Sequence, residues 1–158
     1  MIKKPVEIYL EQHHHLETAR ISIEQELTQA IDDYETRQDI MQIPQLQQDK
    51  SQPTNKITNP VADAVAELVD VYKRRVDKVT ARLNTITLQQ QAIEACVDKA
   101  GLTTQEDNYV RLRYFGNMKH WRVAQRLNFS ESHTSRLRLA AICKIEKMIG
   151  NESKNVLT

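Results

Sequence analysis

Between Val65 and Val97 apolar residues return by alternating steps of four and three: Val65, Val69, Tyr72, Val76, Val79, Leu83, Ile86, then Ile93 and Val97. Gln90 alone breaks the row. Such spacing keeps one narrow stripe on an α-helix, the pattern of a coiled-coil seam. Asn59 is suited to the N-cap and Pro60 to the first helical position, where a missing N–H costs nothing. The pattern therefore predicts a helix from Pro60 to about Ala100, on the order of 60 Å long at about 1.5 Å per residue. A stripe this narrow must pack on another helix. The partner is either an earlier helix of the same chain or the same helix of another subunit; β-branched residues at both seam positions argue against a simple parallel dimer, and a homo-oligomer is expected. Gln90 is read as a seam-edge residue reaching solvent.

Upstream, Val6 to Met41 carries a weaker seam through Leu16, Ile23, Leu27, Ala30, Tyr34 and Met41, interrupted by Arg20 and Arg37, and is also expected to be helical. His13, His14 and His15 lie in it; three consecutive helical residues point in different directions and cannot converge on one metal, so they are read as solvated. Pro44 and Pro53 bracket PQLQQDKSQP, and the polar run continues to Asn59. Residues 1–43 thus form an N-terminal helix, 44–59 a linker, and 60–101 an oligomerising helix.

After Gly101 the pattern shortens. Thr103 and Glu106 are spaced as a capping box, and a helix should follow through Tyr109, Val110 and Tyr114 to Phe115, closed by Gly116 and Asn117. A second helix over Lys119–Leu127 is expected to bury Trp121, Ala124 and Leu127 and to turn Arg122 and Arg126 outward. Asn128 suits a left-handed turn position, Phe129 fills the angle between helices, and Ser130 caps a third helix with Thr134, Leu137, Ala141, Ile145 and Met148 inward. Residues 102–149 form this unit, Gly150 ends it, and 150–158 is a tail. Helix, short turn, helix is the geometry of a DNA-binding motif. The whole chain is therefore expected to be all-α, with a long coiled-coil-like N-terminal region and a C-terminal three-helix domain.

Charge strengthens that picture. Residues 1–101 hold twelve Lys/Arg against sixteen Asp/Glu, whereas 102–149 hold nine against four, an asymmetry that suits nucleic-acid contact by the basic part. Five of the eight aromatics, Tyr109, Tyr114, Phe115, Trp121 and Phe129, also fall there, so the compact core is expected in the same stretch. On the third helix Glu131, Ser132, His133, Ser135 and Arg136 cluster at the N-terminal end, the end that enters the major groove in a helix-turn-helix. They are the candidate base-reading residues. Arg122, Arg126, Arg138 and Lys144 are the candidate phosphate contacts.

The segment RLRYFGNMKHWRVAQRLNFSESHTSRLRLAAICKI resembles region 4 of sigma-70-type factors and, more closely, phage regulators of the RinA and ArpU-like (autolysin regulator) type. Tyr114 and Phe115, Trp121 with Ala124, Ser130, and Arg136 with Leu137 carry the likeness. A proline-bearing linker before a long helix such as NPVADAVAELVDVYKRRVDKV extends it over most of the chain. The resemblance implies a phage or prophage late-gene activator that binds double-stranded DNA near a promoter and assists the host RNA polymerase. It also implies base contact by Glu131, Ser132, Ser135 and Arg136. Ser132 and Ser135 replace the larger charged residues usual in sigma factors, so no promoter-element preference transfers.

Other classes fit less well. The few glycines leave no phosphate-cradling loop, and no His, Cys or carboxylate set has catalytic or ligand spacing, so neither enzyme activity, a cofactor nor a metal is expected. A phage small terminase subunit also joins a helix-turn-helix to oligomerising helices, but usually with the DNA-binding part first. A third reading makes the coiled coil the working part and the bundle a mere cap. Cys96 and Cys143 suit free thiols in a reducing compartment. Glu7 and Glu11 occupy the place of a signal peptide's apolar region, and no run approaches a membrane span; a cytoplasmic protein with no membrane partner is expected.

Overall fold

The computed structural model describes residues 4–41 and 60–155. Every element among them is helical: α1 (Pro5–Met41), α2 (Pro60–Lys99), α3 (Thr104–Val110) continued by a π-helical turn (Arg111–Phe115), α4 (His120–Leu127) and α5 (Glu131–Asn155). The all-α expectation holds: two long helices pack together and shorter ones form a small C-terminal unit. The expected linker at 44–59, its N-cap residue Asn59 and the side chain of seam residue Met41 lie outside the described residues. The chain divides into two compact units, Ile21–Asn84 and Met1–Arg20 with Thr85–Thr158.

In the Ile21–Asn84 unit, α1 and α2 run antiparallel. Glu26 pairs with Arg82 at 3.3 Å and Asp33 with Arg75 at 3.2 Å, so partners fall by seven on one helix as they rise by seven on the other. Arg37 adds a cation–π contact, 5.5 Å from the Tyr72 ring centroid. The seam residues Ile23, Ala30 and Val79 are buried between these flanks. The row read from the sequence therefore faces α1 of the same chain. The ion pairs are exposed and set alignment more than stability, each contributing about 0–1 kcal/mol.

The other unit draws its core from five places. Val6 and Leu10 of α1, Ile93, Cys96 and Val97 of α2, Tyr109, Val110 and Tyr114 of the α3 region, Val123 of α4, and Ala141, Ile142 and Ile145 of α5 form one cluster. The apolar layer at 102–149 is thus completed by the first turns of α1 and the last turns of α2. Gln90 is buried and donates to Glu17 at 2.7 Å, so it does not reach solvent. Arg20 and Gln90 hold the Glu17 carboxyl down to about 2. The contact favours one alignment of the two helices, because a slip would leave the buried Gln90 amide without Glu17, whereas Glu17 keeps Arg20 of its own helix.

The three histidines also differ from the expectation of solvated side chains. His13 is buried, stacked on Phe115 at 3.9 Å between centroids, with Nε2 2.7 Å from Glu94 Oε1. His14 Nδ1 lies 3.3 Å from the Phe115 carbonyl oxygen, and only His15 is exposed. The seam of α1 is wider here than period alone indicated, since the helices that close on it come from far along the chain.

The C-terminal helices follow the expected punctuation. Thr103 and Glu106 make the capping box, and Gly101 takes a φ of 66° after α2. Asn128 is left-handed at φ 56°, and Ser130 Oγ accepts from the His133 amide at 3.2 Å. Thr134, Leu137, Ala141 and Ile145 are inward, with Met148 packed beside them. Two expectations fail. Gly150 lies inside α5, which runs on to Asn155, because a glycine without a left-handed turn costs a helix only about 1 kcal/mol. Trp121, expected in the core, is 44% exposed, and Val123 is buried instead. Spacing admits two inward rows on α4, one through Trp121 and one through His120, Val123, Ala124 and Leu127. A helical step of about 100° per residue separates them, and the fold takes the second.

Candidate nucleic-acid interface

α4 and α5 are joined by Asn128, Phe129 and Ser130, and the turn is pinned at both ends: the Phe129 amide donates to the Ala124 carbonyl at 3.0 Å and the Thr134 amide to Ser130 at 2.9 Å. Phe129 is half-buried with its ring edge-on to His133, centroids 4.7 Å apart. His133, a candidate base reader, is therefore half-buried and occupied by the turn. Glu131, Ser132, Ser135 and Arg136 are exposed. Ser132, Ser135, Arg136 and Leu139 fall at i, i+3, i+4 and i+7, a single outward row. Leu139 is 61% exposed and had not been singled out from the sequence. Its position off the inward row was the available signal.

The four candidate phosphate contacts separate into two pairs. Arg122 and Arg126 of α4 are exposed. Arg138 instead turns inward: its Nε donates to Glu7 Oε1 at 2.8 Å and a terminal nitrogen lies 2.6 Å from the same oxygen. Lys144 Nζ donates to Glu106 Oε2 at 2.6 Å. Both carboxylates are buried. Burial alone would raise the Glu7 pKa, but hydrogen bonds from Tyr114, the Lys4 amide and Arg138 hold it below the ordinary value. Glu106 behaves the same way, with Lys144 and the Thr103 amide outweighing burial. Arg138 and Lys144 thus satisfy charges inside the fold, which sequence reasoning could not foresee because Glu7 is 131 residues from Arg138.

A polar chain backs the outward row. Tyr109 Oη lies 2.9 Å from His120 Nδ1, and His120 Nε2 lies 3.3 Å from Ser135 Oγ. Burial pushes the Tyr109 phenol up to about 12, so it stays neutral. The first turn of α4 and the exposed face of α5 are therefore adjacent. Among the described residues no group of three or more His, Cys, Asp or Glu could hold a metal ion, and no helix is long and apolar enough to cross a membrane. Cys96 and Cys143 are both free thiols. The chain matches no protein-family model, no curated protein and no solved structure.

Proposed function

We propose that the chain is a sequence-specific DNA-binding transcription regulator that inserts the N-terminal half of α5 into the major groove. The observation that carries this reading is the exposed row Ser132, Ser135, Arg136 and Leu139 on the second helix of a helix, three-residue turn, helix arrangement. Arg can bridge guanine O6 and N7, serine can meet several base edges, and an apolar side chain can rest on a thymine methyl. Arg122 and Arg126 on α4 supply cations for the flanking phosphates. Action near a promoter, as a phage or prophage late-gene activator working with host RNA polymerase, is supported by the sequence resemblance to RinA and ArpU-like regulators.

Footprinting of the purified full chain on candidate promoter and packaging-site DNA tests the reading. Protection beside a promoter supports it, and protection confined to a packaging site replaces it with a packaging role. Once a site is found, Arg136→Ala should cost about 1–3 kcal/mol there and relax preference at one base pair. Arg126→Gln should instead weaken every duplex alike and lower the salt slope by about one ion. Equal loss on all sequences for Arg136→Ala would make it a backbone contact and refute the reading helix.

A further inference from the structure

Trp121 is the only tryptophan in the chain and stands 44% exposed on the first turn of α4, in a fold that buries Tyr109 and Tyr114 completely. Burying so large a ring would have been strongly favourable, so its exposure calls for a partner. The Arg122 guanidinium lies 5.3 Å from its ring centroid. With Gly116, Asn117, Met118, Lys119 and Arg122 it lines a groove of about 460 Å³.

The groove's floor is fixed. The Gly116 amide donates to the Arg111 carbonyl at 2.8 Å and the Met118 amide to the Leu112 carbonyl at 3.1 Å. The Arg113 guanidinium donates to the Met118 carbonyl, also at 3.1 Å. A Cβ at Gly116 would stand 3.0 Å from the Leu112 carbonyl oxygen, so this chain path suits glycine. The charged rim residues, Lys119 and Arg122, are both cations, and neither meets a carboxylate among the described residues. His120, between Lys119 and Trp121 in sequence, reaches Ser135 on the exposed row of α5, so the first turn of α4 that borders the groove abuts that row.

We infer that this groove seats the sugar-phosphate backbone of the duplex whose bases the α5 row reads, with Trp121 lying on a deoxyribose and Lys119 and Arg122 flanking the phosphate. The inference rests on the DNA-binding reading above. An aromatic wall beside two cations matches a ligand with one apolar and one anionic part. A free phosphate has no use for the ring, and an apolar peptide has none for the cations.

Because Trp121 is the sole tryptophan, its emission reports on the groove directly. The full chain is titrated with a short mixed-sequence duplex at low salt, where backbone contacts suffice for binding. Emission should fall as duplex binds. Trp121→Ala should keep the wild-type melting profile yet bind about tenfold more weakly on every sequence, about 1.4 kcal/mol. Trp121→Phe should restore most of that loss, and Arg122→Gln should lower the salt slope by about one ion. Duplex binding with unchanged emission and an unimpaired Trp121→Ala variant would overturn the groove assignment while leaving the α5 reading intact. No binding of duplex by the wild-type chain at low salt would overturn both.

Discussion

Glu7 sits on the first turn of α1, only 3% exposed, and receives the Tyr114 hydroxyl at 2.7 Å, the Lys4 amide at 3.0 Å and the Arg138 guanidinium. Glu7→Gln keeps the volume and removes the charge. Its amide oxygen can still accept from Tyr114, but its NH2 group would confront the Lys4 amide, donor against donor, and Arg138 would face a neutral group. Removing one member of a buried ion pair costs about 3–5 kcal/mol. Arg138 keeps 28% of its side chain in contact with water, which reduces that cost. A loss of about 2–3 kcal/mol follows, and for a unit of this size a fall in Tm on the order of 10 °C. The near-ultraviolet circular dichroism of the buried Tyr109 and Tyr114 should report it, since both belong to this core.

The pH dependence provides the sharper check. The folded Glu7 pKa lies below the ordinary 4.5, so the charge contributes stability that is present above that value and lost as the pH falls through the folded one. The difference between wild type and Glu7→Gln should therefore be full at neutral pH and shrink in acid. Adding Arg138→Met to Glu7→Gln should cost less than the separate losses together. A Glu7→Gln variant that melts with the wild type at neutral pH, or a gap that does not close in acid, would refute the reasoning.

Two further outcomes are expected. A fragment of residues 102–158 should lack a cooperative melt, because it leaves Val6, Leu10, Ile93, Cys96 and Val97 behind; sharp, dispersed amide resonances from it would show that the C-terminal helices fold alone. Gln90→Leu should change stability little, since it replaces a buried polar contact by an apolar one, but should raise the Glu17 pKa from about 2 by removing one of the donors that lower it; carboxyl resonances followed through a pH titration check this.

Much of the C-terminal unit was legible because its signals are local. The Thr103–Glu106 box, the left-handed Asn128 and the Ser130 cap each involve residues within a few positions, and each stands as read. The seam of α2 was legible because periodicity survives any choice of partner. What failed depends on distant contacts or on a choice between equivalent rows. His13 and Gln90 looked like surface residues until the antiparallel α1 and α2 brought Glu94 and Glu17 against them. On α4 two rows had helical spacing, and the size of Trp121 favoured the wrong one. Of the candidate site, the exposed residues of α5 followed from the inward row alone, whereas the fate of Arg138 and Lys144 required knowing where Glu7 and Glu106 lie.

Those two cations explain how the exposed row is aimed. The apolar residues Leu137, Ala141 and Ile145 fix which side of α5 is inward, but an apolar stripe tolerates some rotation about the helix axis. Directional bonds do not. Arg138 to Glu7 and Lys144 to Glu106 leave the same helix about two turns apart, and both end on buried carboxylates. Rotating α5 by one residue, about 100°, would break both pairs and strand two buried charges, a penalty far above that of shifting a few apolar contacts. Ser132, Ser135, Arg136 and Leu139 are thereby held outward by the same bonds that turn Arg138 and Lys144 towards buried carboxylates. The first turn of α1, remote in sequence, thus helps set which side of α5 stays exposed.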